Sequence, residues 1–152
     1  MKILITGSDL NAFLIAKYIK LQSNEHDIYI TTDKTDDENY YTPIFIKEND
    51  VESICDFVKY NQIEFTVVTS GLSIINGIAD EFNKEGFPVF APCMEAARAT
   101  FFNSIAKKVM YKLKIPTPRF GIFDRENIAT DYIRRVKFPI SILNDFTLNE
   151  RT

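Results

Sequence analysis

The run Lys2-Ile3-Leu4-Ile5-Thr6-Gly7-Ser8-Asp9-Leu10 begins with apolar side chains, stops at one glycine and passes directly into a helical spacing. Leu10, Phe13, Leu14, Tyr18 and Leu21 form the apolar face of that helix, while Lys17, Lys20 and Gln22 point elsewhere. A strand, a tight glycine turn and a helix make the first crossover of a doubly wound α/β domain. In such sheets ligands bind at the carboxyl ends of the strands, often against a helix N-terminus.

The rest of the chain repeats the alternation. Residues 27–32 alternate apolar and polar side chains and read as a second strand, followed by an acidic loop at 33–39. Residues 44–46 make a short third strand. Asn49 and Glu52 stand at N-cap and N3 of a helix over Val51–Asn61, with Ile54, Phe57 and Val58 inward. Residues 63–68 are the most strand-like run and are expected at the sheet centre, ending in the loop Thr69-Ser70-Gly71. A helix from Leu72 buries Ile75, Ile78, Ala79 and Phe82, and Gly86 closes it. Residues 88–91 give a fifth strand. A helical stretch from Met94 to Lys114 carries a break near Phe101 and Phe102.

Ile115-Pro116-Thr117-Pro118 cannot be helix and marks a boundary. Beyond it, residues 119–123 read as a strand, Asp124 as the cap of a helix over 126–136, and residues 138–143 as a further strand. The fold class is therefore α/β: a Rossmann-like domain with a mostly parallel five-stranded sheet and a linker helix at 1–114, then a small β-α-β unit at 115–152.

Composition excludes several functions. No apolar stretch approaches the ~20 residues of a membrane helix, and the first residues are too short and strand-like for a signal peptide, so a cytoplasmic location is expected. Cys55 and Cys93 show neither a metal spacing nor a redox motif; Cys55 reads as a small core residue and Cys93 as the more accessible thiol. His26, the only histidine, sits in a polar turn and reads as a solvated loop residue, so neither metal binding nor Cys/His catalysis is expected. Residues 1–100 carry a net charge of −8 and residues 101–152 one of +5. The basic end reads as solvated helix faces, or as a surface that meets an acidic partner, the chain's own acidic half or another copy, and nucleic-acid binding is disfavoured. Asp33 follows the second strand, where an acid can hold a nucleotide ribose. The upstream glycine fingerprint keeps only Gly7, with Asp9 and Ala12 at its other positions. Asp33 reads as a turn residue, and a nucleotide-binding sensor or oxidoreductase is disfavoured.

A family resemblance rests on several marks in order: Glu64-Phe65-Thr66-Val67-Val68 before a loop, Gly77-Ile78-Ala79-Asp80-Glu81-Phe82 with Gly86, Phe90-Ala91-Pro92 before an alanine-rich helix start, and Ala106-Lys107-Lys108-Val109-Met110. Ile115 to Pro118, Asp124 to Arg134 and Phe138-Pro139-Ile140 continue them. Together they resemble the N-terminal, pre-ATP-grasp region of phosphoribosylamine–glycine ligase, with biotin carboxylase the nearest confounder. The small β-α-β unit then corresponds to part of an ATP-grasp lobe. The resemblance implies a phosphoribosylamine site at the ends of the first and fourth strands, with ATP and Mg needed only if an ATP-grasp domain completes the enzyme.

Measured against that family, the residues depart at the places that matter. The first loop reads Gly7-Ser8-Asp9-Leu10-Asn11, where the family is glycine-rich and carries an Arg-Glu pair. Bare backbone N–H groups hold phosphate there, and Asp9 brings a carboxylate that serves instead as helix N-cap. The fourth-strand loop reads Thr69-Ser70-Gly71-Leu72-Ser73 in place of Gly-Pro-Glu-Ala-Pro. Asn103 matches a linker-helix lysine, and Leu143 matches the strand lysine that contacts ATP phosphates. The candidate site is thus a vestigial phosphate and ribose site of Gly7, Ser8, Asp9, Asn11, Thr69, Ser70 and Gly71, with no catalytic or metal residue. A weak sugar-phosphate or nucleotide ligand, a homo-oligomer and no cofactor are the expectations. The chain reads as an inactive binding or interaction module, with the N-terminal part of a divergent ligase as the alternative.

Overall fold

The computed structural model describes residues 1–34 and 39–146. Part of the acidic loop at 33–39 and the segment after Phe146 therefore lie outside the described residues. The elements run β1 (Lys2–Thr6), α1 (Leu10–Gln22), β2 (Asp27–Thr31), β3 (Thr42–Ile44), α2 (Val51–Asn61), β4 (Phe65–Val68), α3 (Gly71–Ile75), α4 (Ile78–Glu85), β5 (Val89–Phe90), α5 (Met94–Phe101), α6 (Asn103–Lys112) and α7 (Glu126–Ile133). Two compact units result, the first Met1–Ala97 and the second beginning at Arg98.

The first unit is a five-stranded sheet in the order β3-β2-β1-β4-β5, with every pairing parallel. The centre is β1, with two strands on either side, and the strand-like run after Ile63 forms β4 next to it rather than the centre. Side chains alternate across β1. Leu4 packs with Ile54, Val58, Ile78 and Phe82 of α2 and α4, while Ile3 and Ile5 pack with Ala12 and Ala16 of α1.

Helix α1 buries a face that shares only Phe13 with the one expected. Ala12 and Ala16 are fully buried, with Phe13, Ile15 and Ile19 packed beside them, whereas Leu10, Leu14, Tyr18 and Leu21 are 53–70 % exposed. Both sets have helical spacing, so period alone could not choose. The small alanines win because they let the helix backbone approach the sheet closely.

Other boundaries shift for local reasons. The third strand is Thr42–Ile44 rather than 44–46; it is an edge, where Pro43 needs no N–H donor on its open side. The N-cap of α2 is Asp50, one residue later than Asn49; its carboxylate accepts from the Ser53 amide (3.1 Å) and hydroxyl (2.7 Å). The helix expected from Leu72 divides at Gly77, whose φ of 81° belongs to the left-handed region, and Gly86 closes α4 as expected.

In the second unit α6 and α7 bury no residue completely. The Ser104 amide and hydroxyl donate to the Asp145 carboxylate (2.6 and 2.8 Å), and Lys107 Nζ donates to the Thr117 hydroxyl (2.5 Å). These contacts tie α6 to later residues, so the division expected after Lys114 falls inside this unit. Neither 119–123 nor 138–143 pairs as a strand. The expected β-α-β unit is one helix between two irregular segments, because a strand needs a hydrogen-bonded neighbour and these segments do not supply one to each other. Arg125, not Asp124, precedes α7 as N-cap, without a side-chain bond. No helix among the described residues is long and apolar enough to cross a membrane.

Candidate functional site

Parallel strands deliver their following loops to one edge of the sheet, so the loops after β1, β3 and β4 meet there. Thr6 and Val68 stand in register at the ends of β1 and β4, and both the Thr69 and Ser70 amides donate to the Thr6 carbonyl (2.9 and 3.0 Å). Gly7, Ser8 and Asp9 are thereby brought beside Thr69 and Ser70. Asn11 lies exposed on the first turn of α1, where its side-chain amide reaches Asp9 Oδ2 (3.1 Å), and Gly71 opens α3.

Several of the donors at this edge are engaged within the protein. The Gly7 amide donates to the Thr31 hydroxyl (2.8 Å). Asp9 caps α1 as expected, accepting from the Ala12 amide (2.9 Å), and the Thr69 hydroxyl is shared between Asp9 Oδ1 (3.0 Å) and the Thr6 carbonyl (3.2 Å). The Thr69 and Ser70 hydroxyls both donate to carboxylates, those of Asp9 and Glu48.

The residue that sequence reasoning missed is Glu48, between β3 and α2. Its Oε1 accepts from the Ser8 hydroxyl (2.6 Å) and its Oε2 from the Ser70 hydroxyl (2.5 Å). Its carbonyl accepts from the Ser73 hydroxyl (2.6 Å). One residue therefore joins three loops. The available signal was topological: a carboxylate placed just after a parallel strand must lie at the ligand edge of the sheet.

The acidic Asp33 is exposed in a bend, in keeping with a turn residue. His26 is half-buried rather than solvated, with Nδ1 buried. A groove of about 510 Å³ between α2 and α4 is lined by Glu52, Cys55, Asp56, Glu81 and Glu85. Burial there, reinforced by Glu81, Glu85 and Asp56, pushes the Cys55 thiol up to about 11, which makes it a poor nucleophile; Cys93 is exposed. No group of three or more metal-ligating side chains occurs among the described residues. In the second unit the Asn103 side-chain amide donates to the Asn144 carbonyl (2.7 Å), and Leu143 is 68 % exposed.

The sheet order and its loop edge define a Rossmann-like α/β domain. Among solved structures, the biotin carboxylase domain of Hydrogenobacter thermophilus 2-oxoglutarate carboxylase aligns over 91% of this chain and 33% of its own (TM-score 0.70, 15% identity). Glycinamide-RNase-transformylase T of Mycobacterium tuberculosis aligns over 91% and 40% (TM-score 0.67, 15% identity). Residues 1–99 match the family model for the phosphoribosylglycinamide synthetase N domain, and the chain belongs to that family. Phosphoribosylamine–glycine ligases of Caldanaerobacter subterraneus and Halalkalibacterium halodurans are 28% and 30% identical over 95% of the chain. The chain spans only 35% and 34% of their lengths.

Proposed function

We propose that this chain is a non-catalytic member of its family, a binding or interaction module rather than a ligase. The observation that carries this reading is Asp9, whose carboxylate holds the N-terminus of α1 through the Ala12 amide and also takes the Thr69 hydroxyl. A phosphate at that helix end would meet a fixed negative charge in place of free amides. The positions matched to the family's two lysines support it as well: Asn103 carries no charge, and Leu143 cannot stabilise a transferring phosphoryl group. The test is turnover. The purified chain, supplied with ATP, Mg²⁺, glycine and phosphoribosylamine, is expected to release no ADP above background, and measurable turnover overturns the reading.

A second reading, the N-terminal part of a divergent ligase, draws on the second unit. Ile122, Ile128, Phe138, Ile142 and Leu143 are 43–80 % exposed, as apolar side chains are when the structure that covers them lies elsewhere. ATP and Mg²⁺ belong to this reading only. A reading frame that continues into an ATP-grasp lobe supports it. If a second copy covers these side chains instead, sedimentation detects a dimer at high concentration.

A further inference from the structure

We propose that Glu48 sets the charge class of ligand that the loop edge admits, acting as a built-in anion that excludes phosphate esters. This rests on the assignment of the β1 and β4 loops as the family's ligand site. Glu48 brings its carboxylate to the same two loops as the vestigial phosphate residues and takes one hydroxyl from each, Ser8 and Ser70. Bonds of 2.6 and 2.5 Å are in the range of charge-assisted hydrogen bonds, about twice as strong as neutral ones. Its backbone is fixed as well, because the Ser73 hydroxyl holds the Glu48 carbonyl and the Ser73 amide in turn donates to the Ser70 hydroxyl oxygen (3.2 Å). The carboxylate is therefore positioned from both ends of the residue.

The electrostatics follow from what surrounds it. No ion pair involving Glu48 or Asp9 occurs among the described residues. Two carboxylates on one loop edge, stabilised by hydroxyls and amides alone, leave the edge negative. A phosphomonoester carries nearly two negative charges near neutral pH, so it would have to displace Glu48 from both serines and also sit against Asp9. A ligand without phosphate, neutral or amine-bearing and rich in hydroxyls, meets no such barrier. The protein thus keeps the family's loop architecture while rejecting the charge that architecture ordinarily grips.

The experiment titrates ribose 5-phosphate and, separately, inorganic phosphate into the full chain by calorimetry, for wild type, Glu48→Ala and Glu48→Gln. Wild type is expected to give no binding heat up to about 10 mM, whereas freeing the serine hydroxyls in Glu48→Ala brings at least a tenfold gain in affinity, worth about 1.4 kcal/mol. Glu48→Gln keeps the side-chain size and removes the charge, so it carries the comparison if the alanine variant does not fold. Wild type that binds either anion as tightly as the variants overturns the proposal, and so do folded variants that bind no better than wild type. The two readings fail separately: ADP release overturns the non-catalytic reading, whereas phosphate binding by wild type without ADP release defeats this inference and the argument from Asp9 but leaves the absence of turnover standing.

Discussion

A Cβ atom added to Gly7 would lie 2.0 Å from the Thr69 hydroxyl oxygen and 3.2 Å from the Ser70 amide nitrogen. Gly7 also has a φ of 148°, which side-chain-bearing residues rarely adopt. The opening glycine is thus needed for the approach of β1 to the β4 loop, whatever its role toward a ligand. Gly7→Ala is expected to cost about 1–3 kcal/mol in urea unfolding. Adding Thr69→Ala should recover part of that loss by removing the nearest oxygen, leaving the backbone contribution. Equal losses in the single and double variants would show that the contact is unimportant.

Asp9 bonds the Ala12 amide, so Asp9→Ala should destabilise the domain by about 0.5–2 kcal/mol, while Asp9→Ser, which can still cap, should cost much less. Chemical denaturation of the two variants side by side distinguishes a capping role from an electrostatic one. If both lose equally, the charge matters more than the cap.

The packing of α1 makes a sharp mutational contrast. Leu14→Ser or Tyr18→Ser, on the exposed face, should change stability by no more than about 0.5 kcal/mol. Ala16→Leu should cost about 1–3 kcal/mol, because Ala16 is fully buried against the sheet. Thermal unfolding of the three variants reports which face is inward.

The two thiols should separate by reactivity. With iodoacetamide near pH 8, exposed Cys93 is expected to label well before Cys55, whose thiol is held up to about 11. The same shift sets a pH dependence. Because the folded value lies above the unfolded one of 9.0, the Cys55 contribution to stability is complete below about pH 9 and fades as pH rises through about 11. Cys55→Ala should flatten that part of the alkaline stability profile, as followed by urea midpoints.

Asp50 works in the opposite direction. Its bonds from the Ser53 hydroxyl and amide hold its carboxyl below the usual value of 3.8, so its contribution is present above that pH and is lost on acidification. Ser53→Ala removes one of the two donors and should move the acid unfolding midpoint of the domain upward.

The sheet and most helices were legible because strand runs, glycines and helical periods are local signals. Gly86 closes α4 and Phe102 separates α5 from α6 where the sequence marks the break, whereas the division at Gly77 was not read, because a glycine inside a helical period does not by itself end the helix. The buried face of α1 was not legible. That helix is apolar around much of its circumference, and proximity to the sheet favoured the alanines over the larger leucines. The segments at 119–123 and 138–143 failed for another reason: their strand-like sequence says nothing about whether a neighbouring strand will pair with them. Of the site, Gly7, Asp9, Thr69 and Ser70 were visible from their loops. Glu48 was not, because its bonds to Ser8 and Ser70 span 40 and 22 positions and exist only once three crossovers have closed.

Asp145 accepts from Ser104, 41 positions earlier, and the first turn of α6 has no side-chain cap of its own. That helix therefore borrows its starting point from a distant part of the chain. A peptide covering 103–112 alone should fray at its beginning, and clipping the chain just ahead of Asp145 should loosen α6 in hydrogen exchange even though the cut lies far downstream.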